Sequence, residues 1–592
     1  MLRYVGLLWN ETDERANVTA QRLISKLRAQ DVCWESSLEE GGFVVLSADT
    51  PTVRLSIGQS NRSGIVLGHL FTRVDGSLPP AVRLLESSGR ELAQSYWGNY
   101  VALWRDTDRG THWAMRGPAS ALPCLRVTHC GVDLYFSWAE TCASLEEIPF
   151  SINWRYVGRS LIGPVTSKQT GINEITELLP GFCEETHGAE RIQRCCWDPV
   201  AMAKNQPIAH FDSAASTLHA VTKSCIHAWA ARTPQILHAL SGGLDSSIVL
   251  GCLQDAPTQP QITAFTYFAD GADSDERVFA RCAVRRAGCE HIEWRRDDAE
   301  VDLRSGFSKV RLERNAGLRI PAVDRIEPEC AAAVGAHAIY KGYGGDELFC
   351  RHHTHYYVAD ALRCGDLRAG LGGLLLHSAV TEGESIWKVL ASAIGNAFLP
   401  HRWNTTRVFS LDQEDQGLVR AEVIRELQAD RAYDLPFADS THACPPGKLW
   451  QISLITGWRP YYTPSMRVHD PPVIAPLLSQ PIIETCLRIP TYLQMKGRQE
   501  RAVARAAFAE EVPREILERR WKGGAEQLAW RLFRRNLPLI REILLDGQLV
   551  RHHIVDRPRL EAALVVSPAS GLKATVPVFE LLGTEFWLHA WS

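Results

Sequence analysis

Residues 236–247 read ILHALSGGLDSS: an apolar run ends in Ser241-Gly242-Gly243, Asp245, Ser246 and Ser247 follow, and Ile248-Val249-Leu250 opens a second apolar run. Adjacent glycines let backbone N–H groups close on a polyphosphate, and a helix starting behind them adds partial positive charge. The hydroxyls of Ser246 and Ser247 can donate to phosphate oxygens, and Asp245 can hold a Mg2+. No lysine follows the glycines, so this is not the GxxxxGK[ST] loop that favours attack at a γ-phosphate. The bland alternative is a Gly-Ser turn with a helix cap. Seven residues in a strand–loop–helix setting argue against it.

A second loop, KGYGGDELF at 341–349, follows the strand-like HAIYK. In an open α/β sheet, ligands sit beyond the carboxyl ends of the strands. Gly342 and Gly344 can therefore face the first loop, and Asp346 can share Mg2+ with Asp245. Pyrophosphate needs its charge neutralised from two sides, so the pair of loops says more than either one. Farther on, 495–524 reads MKGRQERAVARAAFAEEVPREILERRWKGG. This predicts an arginine-studded amphipathic helix, a break at Pro513 and a basic stretch ending in Lys522-Gly523-Gly524. A lysine on a glycine turn can follow charge onto a leaving pyrophosphate; spacing alone favours a surface lysine.

The elements that must carry these loops show as periodicity. Strands are predicted at 236–240, 262–268 and 337–341, with helices between them, one over 273–286. That alternation predicts a parallel sheet covered on both faces. A helix over 211–231 places Leu218, Val221 and Ile226 on one side, and beyond 355 the pattern is mostly helical. Residues 1–196 instead carry short strand-like runs at 4–9, 43–46, 64–71, 100–104, 112–115 and 132–138. The stretch WDPVAMAKNQPI at 197–208 is the predicted linker, so two domains are expected, 1–196 and 208–592.

With 592 residues the chain can build two or more cores, and a net charge of −4 points to neither nucleic acid nor an anionic membrane. Arg295-Arg296 and the arginines at 531–535 then read as solvated faces. The best apolar run, 371–376, ends at His377, far short of a membrane span, and the opening MLRYVGLLWNETDER lacks a signal-peptide pattern. A cytoplasmic protein is expected. The 16 cysteines form no CxxC pair and read as thiols rather than a metal or redox site. His352-His353-Thr354-His355 and His552-His553 lack acidic or Cys partners at ligand spacing.

Taken together, SGGLDSS, Asp275-Glu276 opening a helix, GYGGDELF and VPREILERRWKGG resemble the asparagine synthetase superfamily over nearly the whole chain. YWGNYVALWRD (96–106), MRGPASALPCL (115–125) and LYFSWAE (134–140) resemble its class II glutamine amidotransferase domain. The resemblance implies an α/β protein: an N-terminal Ntn-type αββα domain, then a PP-loop, ATP-pyrophosphatase-type α/β synthetase domain. SGGxDSS is similar to the loop of enzymes that cleave ATP to AMP and pyrophosphate. ATP and Mg2+ are the implied cofactors. The nucleotide-binding set would be Ala239, Ser241, Gly242, Gly243, Asp245, Ser246, Ser247, Tyr267, Gly342 and Gly344, with Asp245 and Asp346 on Mg2+ and with Lys522 and Tyr343 catalytic.

Two departures refine this. The amidotransferase nucleophile is a cysteine after the initiator Met, and here that place is Leu2; without a thiolate no acyl-enzyme forms, so a degenerate domain is expected. Asparagine synthetases usually carry glutamate where Tyr343 stands, and a tyrosine there is similar to the β-lactam-forming synthetases. The segment 475–508 is most similar to lasso peptide cyclases, which close a macrolactam on a ribosomal precursor. The expectation is therefore an ATP-dependent macrolactam synthetase whose partners are a precursor core peptide, a leader peptidase and a leader-recognition protein. An amine- or ammonia-dependent asparagine-type ligase, a β-lactam synthetase and a scaffold subunit are the alternatives. Tyr343 reads equally as a relay or orienting group and as an aromatic packed under its loop.

Overall fold

A computed structural model describes residues 3–48, 51–56, 61–73, 87–145, 147–163, 165–268, 275–295, 302–304, 321–351, 354–365, 371–399, 417–430, 437, 444–457, 470–496, 499–519, 526–565 and 571–591. The N-terminal part is two stacked antiparallel sheets of six strands each. Arg3–Trp9 lies inside the first, paired to Val132–Phe136 on one side and Phe43–Ala48 on the other. Alternation along this strand decides the layers. Val5, Leu7 and Trp9 join the cluster containing Ala16, Ala20 and Leu23 of the helix Glu14–Arg28, whereas Tyr4 and Leu8 join the cluster of the second sheet. At Gly6 the sheets approach so closely that a β-carbon would collide with the side chain of Leu103. The outer face of the second sheet, at Trp104 and Met115, is covered by Gly89 and the helix Arg90–Ser95 behind it. This is the expected αββα layering.

The second half holds a five-stranded parallel sheet: β1 (Gln235–Ala239), β2 (Gln261–Phe268), β3 (Glu290–Arg295), β4 (Ala338–Lys341) and β5 (Val473–Ile474), in the spatial order β3-β2-β1-β4-β5. Helices α1 (Phe211–Ala230), α2 (Leu244–Gln254), α3 (Arg277–Ala287) and α4 (Pro321–Ala333) accompany it. Ile236, Ala264, Ala338 and Tyr340 cluster with Ile248, Val249 and Cys252 of α2, while Leu237, Phe265 and Ile339 cluster with Ile326 and Ala331 of α4. Both faces are buried, as a parallel sheet requires. Because β1 is followed by β2 on one side but has β4 on the other, the strand order reverses between β1 and β4, the place where open α/β sheets bind their ligands.

Three expectations need correction. The predicted linker 197–208 contains the helix Pro199–Lys204, whose N-cap Asp198 accepts from the backbone N–H of Val200 and Ala201, and Trp197 and Val200 are buried. The strand predicted over 64–71 is two strands, Arg62–Gly68 and Phe71–Thr72, broken at Gly68 with φ 99. The helix predicted over 273–286 begins, within the described residues, at Arg277.

The halves are fastened together. Glu484 of α5 (Gln480–Arg488) receives two bonds from Arg73, at 2.7 and 2.8 Å, and one from the Trp197 indole at 2.9 Å. Phe71 stacks on Trp97 at 4.4 Å, edge-on to Trp229 of α1. The C-terminal helices Glu526–Leu545 and Gly571–Trp591 return to the N-terminal part, where Leu532, Val578 and Trp587 share a core with Leu134 and Phe136. All 16 cysteines are free, and half of them are buried. Among the described residues no helix is long and apolar enough to cross a membrane.

Candidate active site

The first loop leaves β1 at Leu240 and enters α2 at Leu244. Gly242 has φ 72, and a β-carbon on it would lie 2.8 Å from the carbonyl of Glu276 and 2.9 Å from the amide of Ala280. Only glycine suits this place, on conformation and on space. Ser246 Oγ and Ser241 Oγ are 3.1 Å apart, and Ser247 donates to the Gly243 carbonyl at 2.8 Å. His238, fully buried, donates from Nε2 to the Ser246 carbonyl at 2.9 Å and so ties the first turn of α2 to β1. Burial pushes its pKa down to about 4, so it is neutral. The first-turn N–H groups of a helix have no carbonyl one turn behind them, and they suit an anion held over this loop.

The second loop leaves β4 at Lys341 and runs through Gly342, Tyr343 and Gly344 into the short helix Gly345–Leu348. Gly344 has φ 90, and a β-carbon there would collide with Leu478. A β-carbon on Gly345 would collide with the Asp245 carboxyl group. The two loops are thus in contact, and Asp245 and Asp346 meet across them. One nitrogen, Nη1 of Arg501, is 3.3 Å from both Asp245 oxygens and 3.2 Å from Asp346 Oδ1. Arg351 adds a bond to Asp346 Oδ2 at 3.1 Å. Two carboxylates and no softer donor suit Mg2+, which takes one or two carboxylates and completes its shell with water and phosphate oxygens. A guanidinium drawn between them shows that the position calls for positive charge.

Ala239, Tyr267 and Lys341 lie on one face of the sheet at its carboxyl edge, since Ala239 pairs in register with both Phe265 and Lys341. Tyr267 is half-buried edge-on against Phe265, with ring centres 4.6 Å apart. Lys341 forms an ion pair with Glu327 of α4 at 2.5 Å and donates to Tyr343 Oη at 3.3 Å. Burial opposes its charge, but Glu327 outweighs burial and raises its pKa. Tyr343 is half-buried against the core, with its hydroxyl held by a cation. Lys522, assigned to pyrophosphate, lies outside the described residues, as do Leu2, His352 and His353.

The predicted nucleotide and metal residues therefore converge at the switch point, and the loops bring further groups with them. The amphipathic helix predicted from 495 is only α6 (Ala502–Ala507), and Arg505 within it and Arg501 at its N-cap are buried rather than turned to solvent. Arg501 reaches the two aspartates. Arg505 donates to the carbonyls of Glu500, Ile516 and Arg519, and burial, then the neighbouring Arg501, pushes its pKa down to about 10. Arg519 donates to the Gly242 carbonyl at 3.2 Å and pairs with Glu276. Asp275 caps its own neighbour: the Arg277 backbone and guanidinium both donate to it, and the guanidinium bond first, with burial opposing, lowers its pKa. The signal that could have found Arg501 is its i, i+4 spacing to Arg505 on an alanine-rich turn, where a buried face must pair its cations. His355 bonds to Glu382 and His552 stacks on Trp154 at 3.6 Å.

Residues 231–589 match the protein family described as Asparagine synthase. No curated protein matches the chain. Among solved structures 68 chains match. One is the glutamine phosphoribosylpyrophosphate (PRPP) amidotransferase from B. subtilis complexed with ADP and GMP, at 9% identity and TM-score 0.20, covering 57% of this chain and 81% of that one.

Proposed function

The chain belongs to the asparagine synthase family, an ATP-dependent ligase family, and on that footing we propose that it is a lasso peptide macrolactam synthetase. The observation that carries the ligase chemistry is the meeting of Asp245 and Asp346 at the reversal of strand order, beside a glycine loop and the head of α2. The narrower reading is supported by Tyr343 in the second loop and by the resemblance of 475–508 to the cyclases. The substrate is a leader-trimmed precursor peptide, and a leader peptidase and a leader-recognition protein are its partners in the cytoplasm.

In this reading a side-chain carboxylate of the peptide attacks the α-phosphorus of ATP and pyrophosphate leaves. The peptide's own N-terminal amine then attacks the acyl carbon, AMP leaves, and the amine loses a proton. Mg2+ held by Asp245 and Asp346 would supply charge neutralisation on the polyphosphate. The N–H groups at the head of α2 and the hydroxyls of Ser241, Ser246 and Ser247 orient the phosphates. Lys522 follows charge onto the departing pyrophosphate and acts mainly on kcat. An α-amine has a pKa of about 8, so about a tenth of it is already neutral at pH 7. Strong base catalysis is not required, and Tyr343, fixed by Lys341, orients the amine or relays its proton. Threading the tail while the ring closes must be supported by peptide binding energy.

The test is reconstitution: enzyme, peptidase and candidate precursor with ATP, followed by mass spectrometry. A product lighter than the leader-free peptide by one water, with a side-chain-to-amine bond, supports the reading. Turnover on a small amino acid with ammonia, or closure of a small β-amino acid without peptide, would replace it with the corresponding small-molecule ligase.

A further inference from the structure

Arg501 stands where a metal would. Its Nη1 joins carboxylates from the first turns of two different helices, at 3.3 Å from Asp245 and 3.2 Å from Asp346, while Nη2 donates to Glu500 Oε1 at 3.1 Å. Its side chain is only 7% exposed. Its backbone is left-handed, with φ 53 and ψ 34, a conformation uncommon for a residue with a β-carbon. We propose that Arg501 is a placeholder cation: it closes the divalent-metal position between Asp245 and Asp346 in the nucleotide-free protein, and yields it only when a nucleoside triphosphate arrives to accept its charge. This rests on the reading of these carboxylates as the Mg2+ site of an ATP-dependent ligase.

Steric and electrostatic reasons agree. Mg2+ binds oxygen at about 2.0–2.1 Å, so on these two carboxylates it would lie against a buried guanidinium nitrogen already hydrogen-bonded to both, and the two cations would repel each other. Metal arriving alone would strand the arginine. Its Nε has no hydrogen-bond partner among the described residues, Glu500 would be its remaining carboxylate, and Arg505 is a neighbouring like charge. A buried cation so poorly paired is costly. A triphosphate relieves this, because its oxygens match the guanidinium fork. Metal and nucleotide then bind as a coupled pair, and each raises the affinity of the other by the same factor. The acidic pair stays closed to stray divalent cations, and the Mg2+–nucleotide pair is admitted together.

The test is Mn2+ binding to the full chain, read from the electron paramagnetic resonance signal of free Mn2+, with and without the α,β-methylene analogue of ATP, each titration corrected by a protein-free one for the Mn2+ that the analogue itself holds. For the wild type we expect at least a tenfold gain in Mn2+ affinity when the analogue is present. For Arg501→Gln we expect nucleotide-free Mn2+ affinity to rise at least tenfold and the dependence on the analogue to shrink. Arg501→Lys, which keeps a cation, should keep the nucleotide-free site closed. Wild-type binding of Mn2+ that is equally tight without nucleotide overturns the placeholder and needs no variant to fold. Equal nucleotide-free affinities of wild type and folded Arg501→Gln overturn it too. No Mn2+ binding by the wild type even with the analogue is a different failure, that of the metal–nucleotide site itself, and it takes the placeholder with it.

Discussion

A β-carbon on Gly342 would lie 2.6 Å from the amide nitrogen of Ser246. The second glycine loop is thus seated directly on the first turn of the helix that the first glycine loop begins. Gly342→Ala should push the loops apart, with an overpacking cost of about 1–3 kcal/mol. ATP affinity measured by calorimetry should fall about tenfold. Gly372→Ala, at a position with nothing within 4 Å of the added carbon, should leave it unchanged. Equal affinities for both variants would mean that contact between the loops does not shape the site.

Asp245→Asn and Asp346→Asn should each lower kcat by about a hundredfold or more, since losing charge stabilisation at a transition state costs a few kcal/mol. Because both carboxylates reach one position through Arg501, the double variant should be little worse than either single one. Release of pyrophosphate in steady state measures this, and multiplicative losses would place the two residues on separate tasks.

Lys341 and Glu327 form a buried pair, 13% and 9% exposed at 2.5 Å. Removing one partner strands the other, so Lys341→Met should destabilise the protein by about 3–5 kcal/mol, and adding Glu327→Gln should recover most of that. Chemical denaturation of the four proteins gives the coupling. An additive double variant would show that the two charges are not coupled in stability.

The two loops were legible because their chemistry is local: each is a glycine turn at a strand end with its acidic residue a few positions on. Strands at 236–240 and 337–341, alternating along the chain with helices, were enough to place both at one edge of a parallel sheet. Arg501 was not legible, because its meaning depends on contacts 256 residues away at Asp245 and 155 away at Asp346. On a helical wheel the same arginine looks like a solvent face. The return of Trp587 and Val578 to the N-terminal sheet was hidden for the same reason. An apolar helix states that it will be buried, not against what. The helix at Pro199–Lys204 was masked by its Pro and by the Asn205 that ends it, although Asp-Pro is also a sound helix start.

His238 should make stability depend on pH in a recognisable window. Burial holds its native pKa at about 4, below an unfolded value of about 6.5. The unfolded chain therefore takes up a proton that the native state refuses, and the stability present above about pH 6.5 is lost as pH falls toward 4. The loss approaches about 3 kcal/mol. His238→Asn should flatten this part of the curve, measured as the difference in denaturation free energy between the two proteins. Parallel curves from pH 7 to pH 4 would contradict the assignment.

The most direct measurement follows one oxygen. If the peptide's side-chain carboxylate is labelled with heavy oxygen, formation of an acyl-adenylate and its capture by the N-terminal amine must leave one labelled oxygen on the phosphate of AMP. The account predicts that label in AMP, with unlabelled pyrophosphate, and loss of both in Asp245→Asn. Label recovered in orthophosphate alongside ADP, or retained entirely in the peptide while ATP is consumed, would contradict it.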